Sequence, residues 1–344
     1  MTAPTSTTSA TNTNGAGANT PPQVHWKPLT FDDLINLPPK PWLVQGVIGE
    51  RDICMLYGEP GSGKTFLVID LVCCVCLGRD WCGNYDLNNG WTGKFKVKKP
   101  LTVAYFAGEG VSGLGNRFRA AADFYGVKVG SLPNLYFFSA TPQLADGRAG
   151  NLDGIETFLQ DWQRLQTAGQ VAKLDLLIVD TLHTATAGME ENSAKDAGIA
   201  LDRLRRVTRV LDCAVLLVHH SQKNGDAERG SSALRGAMDS IVQVSKNGEN
   251  VMKCSKLKDG EPWQPQIFTL KPLPKFDSVV VFWEGTNTVN NGHRGPDIAD
   301  KVFDILASEP NRRFSAKQIV QALGNNETAI VNALNRLLSK GRVS

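Results

Sequence analysis

Residues 58–65 read GEPGSGKT and match the pattern G-x-x-x-x-G-K-[ST] at every fixed position. Residues 52–57 form a short apolar run typical of a β-strand, and residues 66–77 predict a buried helix. Between a strand and a helix, glycines let the backbone wrap closely round a phosphate, and the free N–H groups at the helix start point at the anion. The sequence therefore predicts a binding site for a nucleoside triphosphate.

Two side chains of this loop have specific predicted tasks. Lys64 places a positive charge at the β- and γ-phosphates of ATP, and the Thr65 hydroxyl can bind Mg²⁺. A glycine-rich turn with an exposed lysine is the alternative, which the flanking strand and helix disfavour. The residues expected to contact ATP are Gly58, Glu59, Pro60, Gly61, Ser62, Gly63, Lys64, Thr65 and Phe66.

The composition predicts a globular protein with a packed core, since 42% of the 344 residues are hydrophobic and 21% are charged. The net charge of +3 is too small to indicate nucleic-acid binding by itself. Seven cysteines, most of them in apolar runs, fit neither a disulfide framework nor a zinc pattern, and predict a reduced, cytoplasmic protein. No apolar run approaches the roughly 20 residues of a membrane span, and the chain does not open with a signal-peptide pattern.

Apolar runs alternate with amphipathic stretches, which predicts an α/β fold with a mostly parallel sheet and helices on both faces. Strands are predicted over residues 101–107, 135–139, 174–180, 214–220, 240–244, 251–256, 266–270 and 279–283, and helices over residues 114–125, 152–166 and 195–211. The predicted organisation is a disordered tail over residues 1–25, an ATPase domain over 26–285, a linker over 286–296 and a small module over 297–344.

Polar residues at the ends of predicted strands are candidates for the chemistry. Asp180 ends an apolar strand, where its carboxylate would lie beside the strand of the glycine-rich loop and bind Mg²⁺. Glu109 lies between two glycines after another strand, and its carboxylate can orient the attacking water unless it is only a solvated loop residue. His220 is placed to sense the γ-phosphate, with a pair of structural or solvated histidines as the alternative.

This order of motifs resembles the RecA-like core of DnaB-type hexameric helicases, most closely the RepA-type plasmid helicases with phage relatives. The likeness extends over roughly residues 40–285 and rests on residues 58–65, the strand ends at Glu109, Asp180 and His219-His220, and the sequence RGSS at residues 229–232. It implies a ring of six subunits that hydrolyses ATP with Mg²⁺ and moves on single-stranded DNA in plasmid or phage replication.

The resemblance also assigns tasks to residues after the strand that ends at His220. It makes His220 the phosphate sensor and residues 223–236 a pore loop facing single-stranded DNA, with a mobile surface loop as the alternative. The basic residues of that loop are Lys223, Arg229 and Arg235.

DnaB-like helicases carry a K-x-R pair that reaches the nucleotide of the neighbouring subunit. The corresponding residues here are Lys256 and Lys258, and lysine lacks the bidentate fork of arginine. Such a residue, contributed to the site of another subunit, is a finger in trans. Arg229 or Arg235 is therefore a second candidate for it. Any residue that acts in trans requires an oligomer.

The last part of the chain predicts a helix-turn-helix module of the winged-helix kind. Helices are expected over residues 297–308, 315–323 and 326–340, with Ser315 as an N-cap, and the chain stops at Ser344 where the wing hairpin would begin. Such a module can bind duplex DNA or dock a replication protein. The polar side of its third helix carries Asn332, Asn335, Arg336 and Lys340.

Three functions remain open from the sequence. The first is a motor on single-stranded DNA, which Lys64, Glu109 and Asp180 favour. The second is a non-motor DNA-binding ATPase, recombinase-like or regulatory, and the third is a replication-initiation adaptor with weak ATPase activity. The lysine at position 258 and the C-terminal module favour the last two. Turnover that rises with single-stranded DNA would indicate a motor or recombinase, and sequence-specific duplex binding without turnover would indicate the adaptor.

Overall fold

The structure is a computed structural model that describes residues 28–86, 90–128, 132, 134–145, 154–221, 231–286, 302, 314–323, 330–331 and 334. The chain divides into two compact units, Met1–Pro41 and Trp42–Ser344. In the first unit, helix α1 (Phe31–Ile35) is capped by Thr30, whose hydroxyl accepts a hydrogen bond from the backbone N–H of Asp33. The Asp33 carboxylate accepts in turn from the Thr30 N–H, which completes a capping box.

The second unit contains the main sheet and the helices that cover it. Its strands are β1 (Trp42–Val44), β2 (Ile48–Gly49), β3 (Ile53–Gly58), β4 (Trp81–Asp86), β5 (Gly90–Phe95), β6 (Val103–Ala107), β7 (Leu135–Phe138), β8 (Leu176–Asp180), β9 (Ala214–His220), β10 (Ser240–Asn247), β11 (Glu249–Leu257), β12 (Gln266–Leu273) and β13 (Ser278–Thr286). Its helices are α2 (Lys64–Leu77), α3 (Val111–Phe124), α4 (Ile155–Thr167), α5 (Leu182–Ala185), α6 (Ala194–Val210), α7 (Ser232–Ala237) and α8 (Ala316–Leu323), with a 3₁₀ turn at Pro274–Phe276.

Nine of these strands form one sheet in the order β13-β12-β11-β10-β3-β9-β8-β6-β7. The six strands from β10 to β7 pair in parallel, and β11, β12 and β13 extend the sheet in antiparallel fashion. Strands β3, β6 and β8 are buried along their whole length, because helices cover both faces of the sheet. The predicted α/β fold with a mostly parallel sheet is confirmed.

Two hydrophobic clusters hold the helices against the sheet. On one face α2 and α3 contribute Leu67, Val72 and Phe118 to a cluster with alternate strand residues such as Leu216. On the other face α4 and α6 contribute Trp162 and Leu204 to a second cluster. The helices thus sandwich the parallel strands, whose carboxyl ends meet at one edge.

The strand order corrects one prediction. Asp180 does not lie beside the strand of the glycine-rich loop, because β9 lies between β8 and β3. Strand β9 comes after both β3 and β8 in the chain but lies between them in the sheet. Chain order alone does not determine this arrangement. The end of β9 therefore lies between the Asp180 carboxylate and the glycine-rich loop.

No sequence prediction covered the antiparallel hairpin of β4 and β5. Its apolar side buries Trp81 and Phe95 in the same cluster as α2. All seven cysteine thiols are free, and six of them are buried. Among the described residues, no helix combines the length and apolar character needed to cross a membrane.

Part of the C-terminal module can be compared with its prediction. The second predicted helix is present as α8, and the Ser315 hydroxyl accepts a hydrogen bond from the Gln318 N–H at 3.4 Å, as expected of an N-cap. Most of the other two predicted helices lies outside the described residues, as do Asn332, Asn335, Arg336 and Lys340. The winged-helix assignment stays a prediction.

Candidate nucleotide site

The glycine-rich loop connects β3 to α2 and has a shape that only glycine allows at several positions. A Cβ atom on Gly58 would lie 2.2 Å from the Val244 carbonyl oxygen of the neighbouring strand β10. Gly61 and Gly63 have φ angles of +76° and +91°, which side chains disfavour. The loop therefore folds closely over the strand end and leads directly into the first turn of α2.

Lys64 is the first residue of α2 and is almost fully buried. Its ammonium group donates hydrogen bonds to the carbonyl oxygens of Gly58 and Glu59, each at 2.9 Å. Burial lowers the pKa of Lys64, and the charges of Asp180 and Glu109 oppose this shift. The lysine thus lies within electrostatic range of both predicted carboxylates.

Asp180 is buried at the end of β8, opposite Ala107 of β6. One of its carboxylate oxygens, Oδ2, accepts a hydrogen bond from the Tyr105 hydroxyl at 2.6 Å. Burial raises the pKa of Asp180, and this hydrogen bond partly opposes that shift. The Tyr105 ring is itself fully buried and packs edge-on against Phe118, so it holds the carboxylate in one orientation.

Glu109 is exposed just beyond β6, where the structure brings it next to the end of β8. Its Oε1 atom accepts a hydrogen bond from the Thr181 hydroxyl at 3.1 Å. The N–H of Gly108 donates to the Asp180 carbonyl oxygen at 2.6 Å, and a Cβ atom on Gly108 would lie 2.1 Å from the Thr184 hydroxyl. Glycine at position 108 therefore allows the two strand ends to approach and fixes the start of the turn that carries Glu109.

The two histidines of β9 point to opposite faces of the sheet. His220 is half-buried and pairs in register with Gly58, the first residue of the glycine-rich loop. His219 is buried and lines a cavity with Leu182 and Leu234 on the other face. The N–H of Ser221 donates to the Gly58 carbonyl oxygen at 3.1 Å, which ties the end of β9 to the loop.

The residues present fit a nucleoside triphosphate. Strand β10 and the Ser62 side chain approach the loop backbone closely at Gly58, and the buried Ser62 hydroxyl has no hydrogen-bond partner among the described residues. The backbone N–H groups of the first turn of α2 face the same place. Mg²⁺ needs only one or two protein ligands besides phosphate and water, and the hydroxyl of Thr65 and the carboxylate of Asp180 are of the right type. Among the described residues, no cluster of three or more His, Cys, Asp or Glu could hold a metal by itself.

The finger candidates that the structure describes, Lys256, Lys258 and Arg235, lie away from this site in the same chain, and Arg229 lies outside the described residues. Lys256 on β11 pairs in register with Ile241 of β10, which in turn pairs with Met55 of β3. The Lys256 ammonium group donates to the Arg235 carbonyl oxygen at 3.0 Å, and the Lys258 ammonium group lies 3.5 Å from the Asp239 carboxylate. Met55 precedes Gly58 by three residues, and the Lys258 backbone is level with Ile53 at the start of β3. At about 3.3 Å per residue, Lys256 and Lys258 are therefore set back from their own glycine-rich loop by roughly 10 Å and 17 Å along the strand direction.

The structure corrects the predicted pore loop over residues 223–236. Residues 222–230, with Lys223 and Arg229, lie outside the described part of the chain, and the remainder is helix α7. Ser231 caps this helix, and Leu234 is buried in the core. Arg235 donates to the Ser255 hydroxyl at 3.0 Å and to its carbonyl oxygen at 3.3 Å. The helix forms because an N-cap and one buried apolar residue outweigh the small and basic composition.

A family model described as an AAA domain matches residues 20–226. The match covers more than half of the 344-residue chain. This chain belongs to the AAA-domain family. No curated protein sequence matches it. The AAA domain includes the glycine-rich loop, Glu109, Asp180 and His220, so the chain is a P-loop ATPase. Helix α7 and strands β10 to β13 lie beyond the matched region.

Sequence reasoning missed two residues that the AAA domain places at the site. Tyr105 is on β6, four residues before Glu109, and Thr181 directly follows Asp180. Strand alternation indicates that Tyr105 and Ala107 share a face, but only the pairing of β6 with β8 brings the tyrosine hydroxyl to Asp180. No pattern in the sequence specified that pairing.

Replacing Tyr105 by phenylalanine is expected to raise the Mg²⁺ concentration for half-maximal ATP hydrolysis by about 10-fold. The reason is that partners which orient a metal ligand typically contribute about 10- to 100-fold to metal affinity. The measurement is a Mg²⁺ titration of activity at saturating ATP. Tyr136→Phe is the matched control, because Tyr136 is on the neighbouring strand and packs against Trp162 on the other face. Equal Mg²⁺ requirements in the two variants would contradict the expectation.

Proposed function

We propose that this P-loop ATPase is a hexameric motor of the RepA-type plasmid or phage helicase class, which moves on single-stranded DNA. The observation that carries the proposal is the convergence of Lys64, Glu109 and Asp180 at the carboxyl ends of β3, β6 and β8. Nucleotide hydrolysis requires a lysine at the phosphates, a carboxylate that binds the metal and a second carboxylate that orients the water.

Each residue has a distinct part in the proposed reaction. Lys64 binds the β- and γ-phosphates, and Thr65 and Asp180 are the ligands for Mg²⁺. When bound, Mg²⁺ neutralises the charge that develops on the phosphate oxygens. Glu109 orients the attacking water, and the hydrogen bond from Thr181 holds the glutamate carboxylate toward the end of β8.

The contacts at the end of β9 support a path from the nucleotide to DNA. His220 lies in register with Gly58, and the Ser221 N–H binds the Gly58 carbonyl oxygen. A change in the glycine-rich loop on loss of the γ-phosphate would therefore act on Ser221, the residue that directly precedes residues 222–230 in the sequence. We place the DNA-contacting residues Lys223 and Arg229 in that segment.

The location of Lys256, Lys258 and Arg235 supports an oligomer. Lys256 and Lys258 are set back from their own glycine-rich loop along the strand direction, and Arg235 is hydrogen-bonded to Ser255 beside them, so these cations are better placed for the nucleotide of another copy. A closed ring, with six copies as in the helicases that this chain resembles, satisfies this requirement in every subunit. The C-terminal module would then bind duplex DNA or a replication protein, with Arg336 and Lys340 as contacts.

The test is ATP hydrolysis by the full chain, with and without single-stranded DNA, in the wild type and in Glu109→Gln. The control is Glu50→Gln, because Glu50 is exposed in the turn before β3, away from the site. The expected result is a rate that single-stranded DNA increases, that Glu109→Gln reduces by about 100-fold or more, and that the control retains. The expected particle mass in the presence of ATP is that of six subunits.

Two outcomes would reject the motor. Turnover that single-stranded DNA leaves unchanged would remove the DNA motor and keep the ATPase. Nucleotide binding without turnover, together with sequence-specific binding of duplex DNA, would instead support the adaptor. The replacement of arginine by Lys258 in the finger position is the feature that favours this second candidate.

A further inference from the structure

Arg117 is a half-buried residue in the second turn of α3, the helix that begins two residues after Glu109. Its guanidinium carbon lies 5.2 Å from the centre of the Phe66 ring, and Phe66 directly follows Thr65 in the first turn of α2. Among the described residues, no hydrogen bond or ion pair involves this guanidinium. Its five N–H donors are therefore held beside the phosphate end of the site without a partner from the described chain.

Two glycines lie beside this arginine. Cβ atoms on Gly110 and Gly113 would lie 3.8 Å and 3.6 Å from guanidinium nitrogens of Arg117, at ordinary contact distance. The guanidinium thus lies between the turn that carries Glu109 and the first turn of α2, which are the two segments that border the γ-phosphate in the proposed function.

The neighbours of Arg117 fix its position. Gly110 and Gly113 lie on one side of the guanidinium and the Phe66 ring lies on the other. The ring of Phe66 also restricts the guanidinium, since a cation stacked on an aromatic face loses less freedom when it binds an anion. The guanidinium is therefore oriented beside the two segments that border the γ-phosphate in the proposed function.

We propose that Arg117 is a catalytic residue that binds the γ-phosphoryl oxygens of the ATP in its own subunit. In the reaction the water oxygen forms a bond to the γ-phosphorus, and the bond from that phosphorus to the β,γ-bridging oxygen breaks. Glu109 takes the water proton, ADP leaves with the bridging oxygen, and Arg117 stabilises the charge on the γ-phosphoryl oxygens without exchanging atoms.

This assignment supplies within one chain the bidentate phosphate contact that Lys258 cannot make. It rests on the nucleotide hydrolysis proposed above, but not on movement along DNA. Arg119 offers a matched control, because it is exposed on the same helix and its guanidinium lies 3.4 Å from Asn116 Oδ1.

The experiment compares binding of Mg²⁺-ADP and of Mg²⁺-ADP with aluminium fluoride, a mimic of the transferring phosphoryl group, without DNA. The proteins are the full-length wild type, Arg117→Ala, Arg117→Lys and Arg119→Ala. We expect Arg117→Ala to bind ADP within about 3-fold of the wild type and the aluminium fluoride complex about 10- to 100-fold more weakly. Turnover should fall by about 10³-fold or more, and Arg117→Lys should recover only part of either loss.

Each other outcome has a defined meaning. If Arg117→Ala binds the aluminium fluoride complex as tightly as the wild type, or loses ADP affinity to the same extent, Arg117 is not a γ-phosphate ligand and the proposal fails. Equal losses in Arg119→Ala would also overturn it, since the effect would then belong to the helix. ATP hydrolysis that single-stranded DNA leaves unchanged, measured separately as above, would reject the motor and leave the Arg117 assignment standing.

Discussion

Replacing Lys64 by alanine is expected to abolish ATP hydrolysis and to weaken ATP binding by about 100-fold or more. The Lys64 ammonium group is buried, and its hydrogen bonds to the Gly58 and Glu59 carbonyl oxygens hold it over the glycine-rich loop. A bound triphosphate would face the negative charges of Asp180 and Glu109 without this cation. Removing one partner of a desolvated charge pair typically costs about 2–5 kcal/mol, which corresponds to this loss of affinity.

The measurement is titration calorimetry with a non-hydrolysable ATP analogue and Mg²⁺. Lys99→Ala is the control, since Lys99 is an exposed lysine paired with Asp175 near the start of β8, at the opposite end of the sheet. The control should bind like the wild type. If the Lys64→Ala dissociation constant stays within about 3-fold of the wild-type value, the glycine-rich loop is not the triphosphate site.

Replacing Asp70 by alanine is expected to lower the free energy of unfolding by about 3–6 kcal/mol. Asp70 lies on α2 and is fully buried, and its carboxylate accepts hydrogen bonds from Trp81, Trp283 and Tyr125 at 3.0, 3.0 and 2.5 Å. Three buried donors would lose their acceptor, at about 1–3 kcal/mol each when unsatisfied. Alanine is the better helix former, so a loss of stability must come from this network and not from α2 itself.

The measurement is urea unfolding followed by far-ultraviolet circular dichroism, which does not depend on the two tryptophans as reporters. Asp70→Asn is the conservative comparison. Its amide oxygen can accept from both indoles, and its amide nitrogen can donate to the Tyr125 hydroxyl, which lies 3.1 Å from Cys74 Sγ. The asparagine variant should therefore stay much closer to the wild type. A loss below about 1 kcal/mol in Asp70→Ala would show that the network contributes little.

The difference in stability between the wild type and Asp70→Asn is expected to depend on pH. Burial raises the pKa of Asp70 from 3.8 to about 6, while the three hydrogen bonds act in the opposite direction. Because the pKa is higher in the folded state, the stability that this group contributes is present at low pH and is lost as the pH rises through about 6. The wild type should therefore lose stability relative to Asp70→Asn between about pH 4 and pH 6, and a constant difference would contradict the raised pKa.

Much of the nucleotide site could be predicted because its residues are close together in the chain. Residues 58–65 specify a strand, a turn and a helix start in one continuous segment, and the glycines at positions 61 and 63 have the positive φ angles that such a turn needs. Glu109, Asp180 and His220 could be assigned to strand ends because apolar runs of four or five residues come shortly before them.

Helix α7 shows where local composition misled. Residues 232–236 contain small and basic residues typical of a loop, but burial of Leu234 and the cap at Ser231 make the segment helical. The hairpin of β4 and β5 was missed for a related reason. Its pairing buries Trp81 and Phe95 against a helix that lies earlier in the chain, and no short-range pattern signals that contact.

The sequence by itself determined that this chain has a glycine-rich loop for a triphosphate, a parallel α/β core and acidic residues at the ends of its strands. Only the tertiary structure decided that β9 lies between β3 and β8, that Tyr105 holds Asp180, and that Arg117 lies over Phe66. The physical reason is the range of the interactions. Backbone turns, caps and alternation act over a few residues, whereas the order of parallel strands depends on the total burial achieved by elements far apart in the chain.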